Sequence, residues 1–364
     1  MSVTTRQTIE QELHALWRPD RQGQAATSSG LQRNYTLNLV VYAQNLDSSR
    51  EADAVLRELT PIHPGRYIRL CPAPASEVAP LHHHVASHCA YNPERKTEIC
   101  CDIITLEAKA SLLAELYGLT LSLLVSDLPV EFWWLGDLPL ASPFFRKLAT
   151  DADRVWVDSS RFLRPQEAMA HLASSWERTF PNTVLADLNW VRFERWRHLI
   201  AELFDGEWTP YLWQIQELAI EYGEGTQPTR SFLLACWIAA RLGWRYRGGG
   251  VTEFPERLEF DSDHGPVTVR IKPVPVADQQ RDRLYAIRIR TGDERQGVFT
   301  VVRDRDPQCV LASSEIDGKV AFSRILYFEH LESLQLLGEG LRGWGRDPGW
   351  EGAMAVVRTI LRST

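Results

Sequence analysis

Residues 37 to 43 read Leu-Asn-Leu-Val-Val-Tyr-Ala, a nearly continuous apolar run with β-branched members. Such a run fits a strand covered on both faces, and so a sheet sandwiched between layers of helix. Arg50 to Leu59 follows as a helix that stops before Pro61, giving one strand-helix unit. Further strands are expected at 67–71, 98–106, 119–125, 130–135 and 154–157, with helices at 107–117 and 143–149. Gly118 sits where a helix end wants a left-handed residue, and Ser142-Pro143 supplies an N-cap and a favoured first position. This is an α/β pattern, a Rossmann-like set of layers.

The period changes toward the C-terminus. Trp196, Leu199, Ile200, Leu203 and Phe204 repeat as one helix face, and Thr229 to Leu242 is apolar nearly all round, as in a buried helix. Beyond Gly248-Gly249-Gly250, Val267, Val269 and Ile271 alternate with Thr268, Arg270 and Lys272, and Tyr285, Ile287 and Ile289 alternate with Ala286, Arg288 and Arg290. Residues 297–303 and 308–313 look similar, the pattern of half-exposed antiparallel strands. Helices at 330–337 and 351–361 close an α+β domain with an antiparallel sheet.

A chain of 364 residues exceeds the size at which one core usually stops growing, so two cores are expected. The reading divides it into 1–34, an amphipathic helix from Thr8 to Trp17 that serves as a detachable arm on a polar linker; 35–165, the α/β domain; 166–245, a Trp-rich helical connection; and 246–364, the α+β domain. No apolar stretch reaches the ~18 residues of a membrane span, and no leader pattern precedes the folded part, so a cytoplasmic location with no membrane partner is expected. A net charge of -7 argues against nucleic acid as a partner. Six cysteines (Cys71, Cys89, Cys100, Cys101, Cys236, Cys309) in such a chain are expected to be mostly reduced thiols. Ten of the thirteen tryptophans fall between Trp133 and Trp244, which marks that third for unusual packing or docking.

Gly338, Gly340 and Gly343 form a formal G-x-G-x-x-G, but an expected helix precedes them and Pro348 follows, the reverse of a dinucleotide loop. The first strand runs into Gln44-Asn45-Leu46-Asp47 instead of glycines, so a phosphate cradle is absent and no cofactor is expected. His82, His83, His84, His88, Cys89, Cys100 and Cys101 suggest zinc, yet neighbours on an extended segment point apart and no C-x-x-C or H-E-x-x-H pattern occurs. A polar loop or strand edge with buried thiols, and no metal or catalytic residue, is the expectation. If the strands bearing Arg270 and Lys272 and bearing Arg288 and Arg290 pair, their cations cluster into a face suited to carboxylates or a sugar phosphate. Asp263, Asp282 and Glu294 are available to neutralise it. In PVEFWWLGDLP, residues 129–139, alternation sends Trp134 one way and Trp133 the other, leaving one ring for the core and one for a seam or surface. The partner-binding candidates are therefore Trp133, Trp134, Arg270, Lys272, Arg288 and Arg290.

Three tryptophan-bearing blocks carry a family resemblance. Pro129, Val130, Trp133 and Trp134 form the first; Ala152-Asp153-Arg154-Val155-Trp156-Val157-Asp158-Ser159 the second; and Asp187, Leu188, Trp190, Trp196, Arg197, Phe204 and Asp205 the third. In that order they resemble the OpcA family of cyanobacteria. The resemblance implies a non-catalytic protein that assembles and allosterically activates glucose-6-phosphate dehydrogenase, the entry to the oxidative pentose phosphate pathway. The main alternative is an α/β enzyme or sensor that binds a nucleotide or sugar phosphate.

Overall fold

The computed structural model describes residues 2–16, 35–72, 81–92, 96–139, 141–224, 228–249, 256–276, 283–292, 296–304, 306, 308–328, 331–343 and 345–362. Its elements run α1 (Ser2–Leu16), β1 (Leu37–Ala43), α2 (Leu46–Leu59), β2 (Gly65–Pro72), β3 (Leu81–Asn92), β4 (Thr97–Ala108), α3 (Leu113–Leu123), β5 (Val130–Leu135), α4 (Pro143–Asp151), β6 (Arg154–Val157), α5 (Pro165–Thr179), β7 (Val184–Asp187), α6 (Leu188–Arg192) and α7 (Glu194–Glu202). After a 3-10 segment at Gly206–Gln214 come β8 (Ile215–Gly223), α8 (Thr229–Arg241), β9 (Arg245–Gly249), β10 (Arg257–Ser262), β11 (Gly265–Val274), β12 (Leu284–Thr291), β13 (Gly297–Arg303), β14 (Cys309–Ile316), β15 (Lys319–Tyr327), α9 (Ser333–Gly340) and α10 (Pro348–Arg362). The chain forms two compact units, one of residues 1–161, 177–188 and 332–344, the other of 162–176, 189–331 and 345–364.

The first unit holds a seven-stranded sheet in the order β3-β4-β2-β1-β5-β6-β7. All its pairings are parallel except β3 on β4. Six parallel strands reversing direction of progression between β1 and β5 make a doubly wound arrangement. β1 is buried along almost its whole length, as its apolar run requires. On one face Trp134 stacks on Tyr42 with centroids 4.1 Å apart and meets Phe145 edge-on. Trp133 lies on the other face, opposite Trp156 in the β5–β6 register. Helix α1, expected as a detachable arm, packs on β3 and α3 with Ile9 and Leu13 buried. The linker read at 18–34 lies outside the described residues.

One local expectation is corrected. Residues 119–125 were expected as a strand after a helix at 107–117; instead β4 continues to Ala108 and the helix is α3, with Gly118 inside it. The reason is that Leu116, Leu119, Thr120 and Leu123 are all buried at helical spacing, which fixes the segment as a helix face. The histidine-rich stretch is the edge strand β3, one of the two forms expected for it, but Cys89 faces Cys100 across the β3–β4 register in a disulfide rather than as a free thiol. Cys71, Cys101, Cys236 and Cys309 are free thiols.

The second unit holds an eight-stranded sheet in the order β15-β14-β13-β12-β8-β11-β10-β9. It is antiparallel except where β8 and β11 run parallel, joined through the crossover that contains α8. Leu218, Ile220, Val267, Val269, Ile271, Ile287, Ile289, Phe299 and Val301 are buried on one face, where α8 packs on the strands and α10 packs on α8. Ile215–Gly223 falls in the stretch read as helical, yet it is the central strand.

Candidate functional site

Doubly wound sheets bind their ligands outside the carboxyl ends of the strands, where the order reverses. Here that point lies between β1 and β5, and the side chain of Gln44 stands exposed beside it. Gln44, the residue after β1, reaches across so that its Oε1 accepts from the amide of Asp137 at 3.3 Å. It leaves so little room that a β-carbon on Gly136, whose φ is +145°, would collide with that oxygen. Two of the amides at the start of α2, where a phosphate would sit, are already engaged. Ser48 N donates to Asn45 Oδ1 at 2.9 Å, and Asn45 N donates to Ser48 Oγ at 3.0 Å. Asp47 adds a carboxylate in the first helical turn, where an anion would otherwise gain from the helix dipole.

Beside the crevice, Arg161 holds Glu51 in a two-pronged pair, both contacts 2.7 Å, and Ser333 Oγ donates to Glu51 at 2.6 Å. Burial raises the Glu51 pKa, but the hydrogen bonds from Arg161 and Ser333 outweigh it and hold the carboxyl below its ordinary value. The strand ends are thus bolted to α2 and α9.

The G-x-G-x-x-G glycines have a packing explanation. Gly340, the last residue of α9, lies against the Trp156 ring, and its carbonyl accepts from Arg154 at 3.3 Å. Gly338 O contacts His63 Nε2 at 2.8 Å. Beneath them Glu131 Oε2 takes hydrogen bonds from the Trp156 indole at 2.7 Å and stands 3.2 Å from Arg154. Burial pushes the Glu131 carboxyl up despite the guanidinium. Among the described residues no three His, Cys, Asp or Glu side chains converge on a metal position.

The expected cationic face is real in placement but built differently. The strands bearing Arg270 and Lys272 (β11) and Arg288 and Arg290 (β12) do not pair, because β8 lies between them. On the open face β8 presents Glu217 and Glu221. Glu217 lies 2.9 Å from Arg270 and 3.9 Å from Arg290; Glu221 lies 3.1 Å from Lys272 and 2.7 Å from Arg288. Burial raises the Glu221 pKa, and the hydrogen bonds from Arg288 and Lys272 more than reverse that. Four cations thus meet two carboxylates, and the excess is two positive charges. The neutralising acids were expected from 261–305; Asp263 instead pairs with Arg245, and Asp282 and Glu294 lie outside the described residues. Glu217 and Glu221 were missed because β8 was not read as a strand, although Glu-x-x-x-Glu in extended chain places both on one face.

Trp133 is fully buried and Trp134 is 5% exposed, so neither offers a docking surface in this structure. Both rings are drawn into the core because the sheet is covered on both sides. The third tryptophan block also has a structural role. Arg197 sits 3.9 Å over the Trp190 ring and donates to its carbonyl oxygen at 2.7 Å, while Trp190 Nε1 donates to Asp347 at 2.7 Å.

Residues 57–174 match the family described as glucose-6-phosphate dehydrogenase subunit N-terminal domain, and residues 183–354 its C-terminal domain counterpart. The chain belongs to the OpcA family. Candidate OxPP cycle proteins named OpcA are similar to it: that of Synechocystis sp. is 28% identical over 88% of this chain and 68% of its own length. That of Nostoc punctiforme is 28% identical over 87% and 69%. Among solved structures, the candidate oxidoreductase yvaA from Bacillus subtilis aligns at 10% identity with a TM-score of 0.47, covering 89% of this chain and 95% of its own. Both OpcA family domains are therefore present, each carrying at least one of the tryptophan blocks noted in the sequence.

Proposed function

We propose that this OpcA-family chain is a non-catalytic assembly factor and allosteric activator of glucose-6-phosphate dehydrogenase, working in the cytoplasm on the oxidative pentose phosphate cycle. The observation that carries the reading is the family match over both domains. The strand end supports it, since an exposed Gln44 and a helix capped by Asn45 stand where a dinucleotide-binding fold carries its glycines. Activation requires that the chain bind the active arrangement of the dehydrogenase more tightly than the inactive one; typical couplings of about 1–3 kcal/mol change affinity 5–150-fold.

The docking surface in this proposal includes Arg270, Lys272, Arg288 and Arg290, whose excess charge favours a carboxylate-bearing partner. The test is the rate of the dehydrogenase from the same organism at subsaturating glucose 6-phosphate, with and without the chain. A saturable, stoichiometric rise supports the proposal; unchanged kinetics and oligomeric state end it.

The doubly wound strand order favours a second reading, a nucleotide or sugar-phosphate sensor. Under it, NADP or glucose 6-phosphate alone raises the melting temperature of the chain with concentration. No shift at millimolar ligand removes that reading.

A further inference from the structure

Ten large apolar side chains stand exposed among the described residues, and four of them, Val320, Phe322, Ile325 and Tyr327, lie on the nine-residue strand β15. β15 is the last strand of its sheet, so its outer backbone groups meet no further strand among the described residues. Its side chains are exposed on both faces apart from half-buried Leu326. The opposite edge is protected: β9 has five residues, two of them glycines, and its Arg245 and Arg247 pair with Asp263 and Asp261. Natural edge strands are usually blunted in such ways because an open edge recruits another strand.

β15 carries a register shift where it passes Ser314 and Glu315, but from Phe322 to Tyr327 it pairs with Ser314 to Cys309 without a break and contains no proline. Six regular residues present roughly 20 Å of free edge at ~3.3 Å per residue. We propose that this edge accepts an added antiparallel or parallel strand from the dehydrogenase, one that sets a single acidic residue opposite Arg324 among apolar ones. The identity of the partner rests on the function proposed above.

The chemistry of the recruit follows from the faces. Phe322, Arg324 and Leu326 share the face of Ser314, Ala312 and Val310, while Ser323, Ile325 and Tyr327 share that of Ser313, Leu311 and Cys309. Arg324 is the one charge in the regular stretch, so an Asp or Glu belongs opposite it. Apolar residues belong beside Ile325 and Tyr327, where Leu311 already forms a half-buried floor. A second copy of the chain fits less well: it brings a second Arg324 to the edge, and each copy carries a net charge of -7.

The experiment uses the full chain and the purified dehydrogenase of the same organism. Amide hydrogen exchange with and without the enzyme is read at 322–327, alongside affinities of the separate variants Arg324→Glu and Ile325→Asp. Both positions are exposed, and an unchanged melting curve certifies the fold. Strand addition gives slowed exchange of alternate amides in β15 and at least a tenfold loss of affinity in each variant. A complex that forms with no protection of β15 and undiminished variant affinity overturns the edge inference and leaves the activator reading standing. Absence of any complex with the wild-type chain removes both. A chain that dimerises alone, and whose dimer Arg324→Glu dissolves, makes the second copy the occupant and overturns the proposal.

Discussion

Gly340 rests against the indole of Trp156 with no room for a β-carbon between them. Helix α9 can therefore approach the sheet only with glycine at this position. Gly340→Ala is expected to lower stability by about 1–3 kcal/mol, the usual range for overpacking. Gly343→Ala, where the nearest atom lies 3.7 Å from the added carbon, should change it by less than about 0.5 kcal/mol. Denaturant unfolding of both variants checks the contrast; equal, small effects would remove the packing explanation of the motif.

Gly118 offers the opposite case. It lies within α3, has no positive φ, and an added β-carbon meets nothing within 4 Å. Gly118→Ala should therefore stabilise the chain by about 0.5–1 kcal/mol, because alanine has less backbone freedom to lose. A lower melting temperature would restore the helix end that the sequence suggested.

How far that sequence was legible depends on whether a segment carries its own reason for its conformation. The apolar run of β1 and the alternation of β11 and β12 did, and they appear as read. α3 contained its helical period in Leu116, Leu119 and Leu123, masked by a glycine that reads equally well as an end. β8 carried little: Ile-Gln-Glu-Leu-Ala-Ile-Glu is rich in helix formers, and only the two strands that flank it make it a strand. The ladder on its open face was invisible for the same reason, as was the contact of Gln44 with the Asp137 amide, since nothing local tells Gln44 that Gly136 will lie beside it.

Glu221 should make stability depend on acid. Its folded-state pKa is held below the ordinary value of about 4.3, so its contribution is fully present above that pH and disappears as pH falls through the lower folded value. Melting temperatures of wild type and Glu221→Gln are expected to differ at neutral pH and to converge as pH falls through the lowered folded-state value. A constant difference down to pH 2 would assign the effect to packing.

Arg197 is half-buried, and burial pushes its pKa down to about 10 against the pull of Asp347 and Glu194. It stays charged at neutral pH. Lysine cannot reproduce the flat contact with Trp190, so Arg197→Lys should cost about 1–3 kcal/mol, measured by urea unfolding. A neutral result would mean that charge alone matters there.

The Cys89–Cys100 bridge closes a sequence separation of 11, worth about 2–3 kcal/mol in loop entropy. Dithiothreitol should lower the melting temperature of wild type by several degrees and leave Cys89→Ser with Cys100→Ser unmoved. Equal melting of wild type with and without reductant would show that the hairpin hydrogen bonds suffice.

The central place of β8 also sets an order of events during synthesis. Its neighbours on either side end at Val274 and Thr291, so the ribosome must complete both before the strand is enclosed. Until then Glu217 and Glu221 have no cations, and Leu218 and Ile220 have no sheet to lie in. Pairings that distant in sequence form slowly and leave apolar surface open while they wait. A nascent chain stalled between α8 and β12 is thus the form most in need of a chaperone.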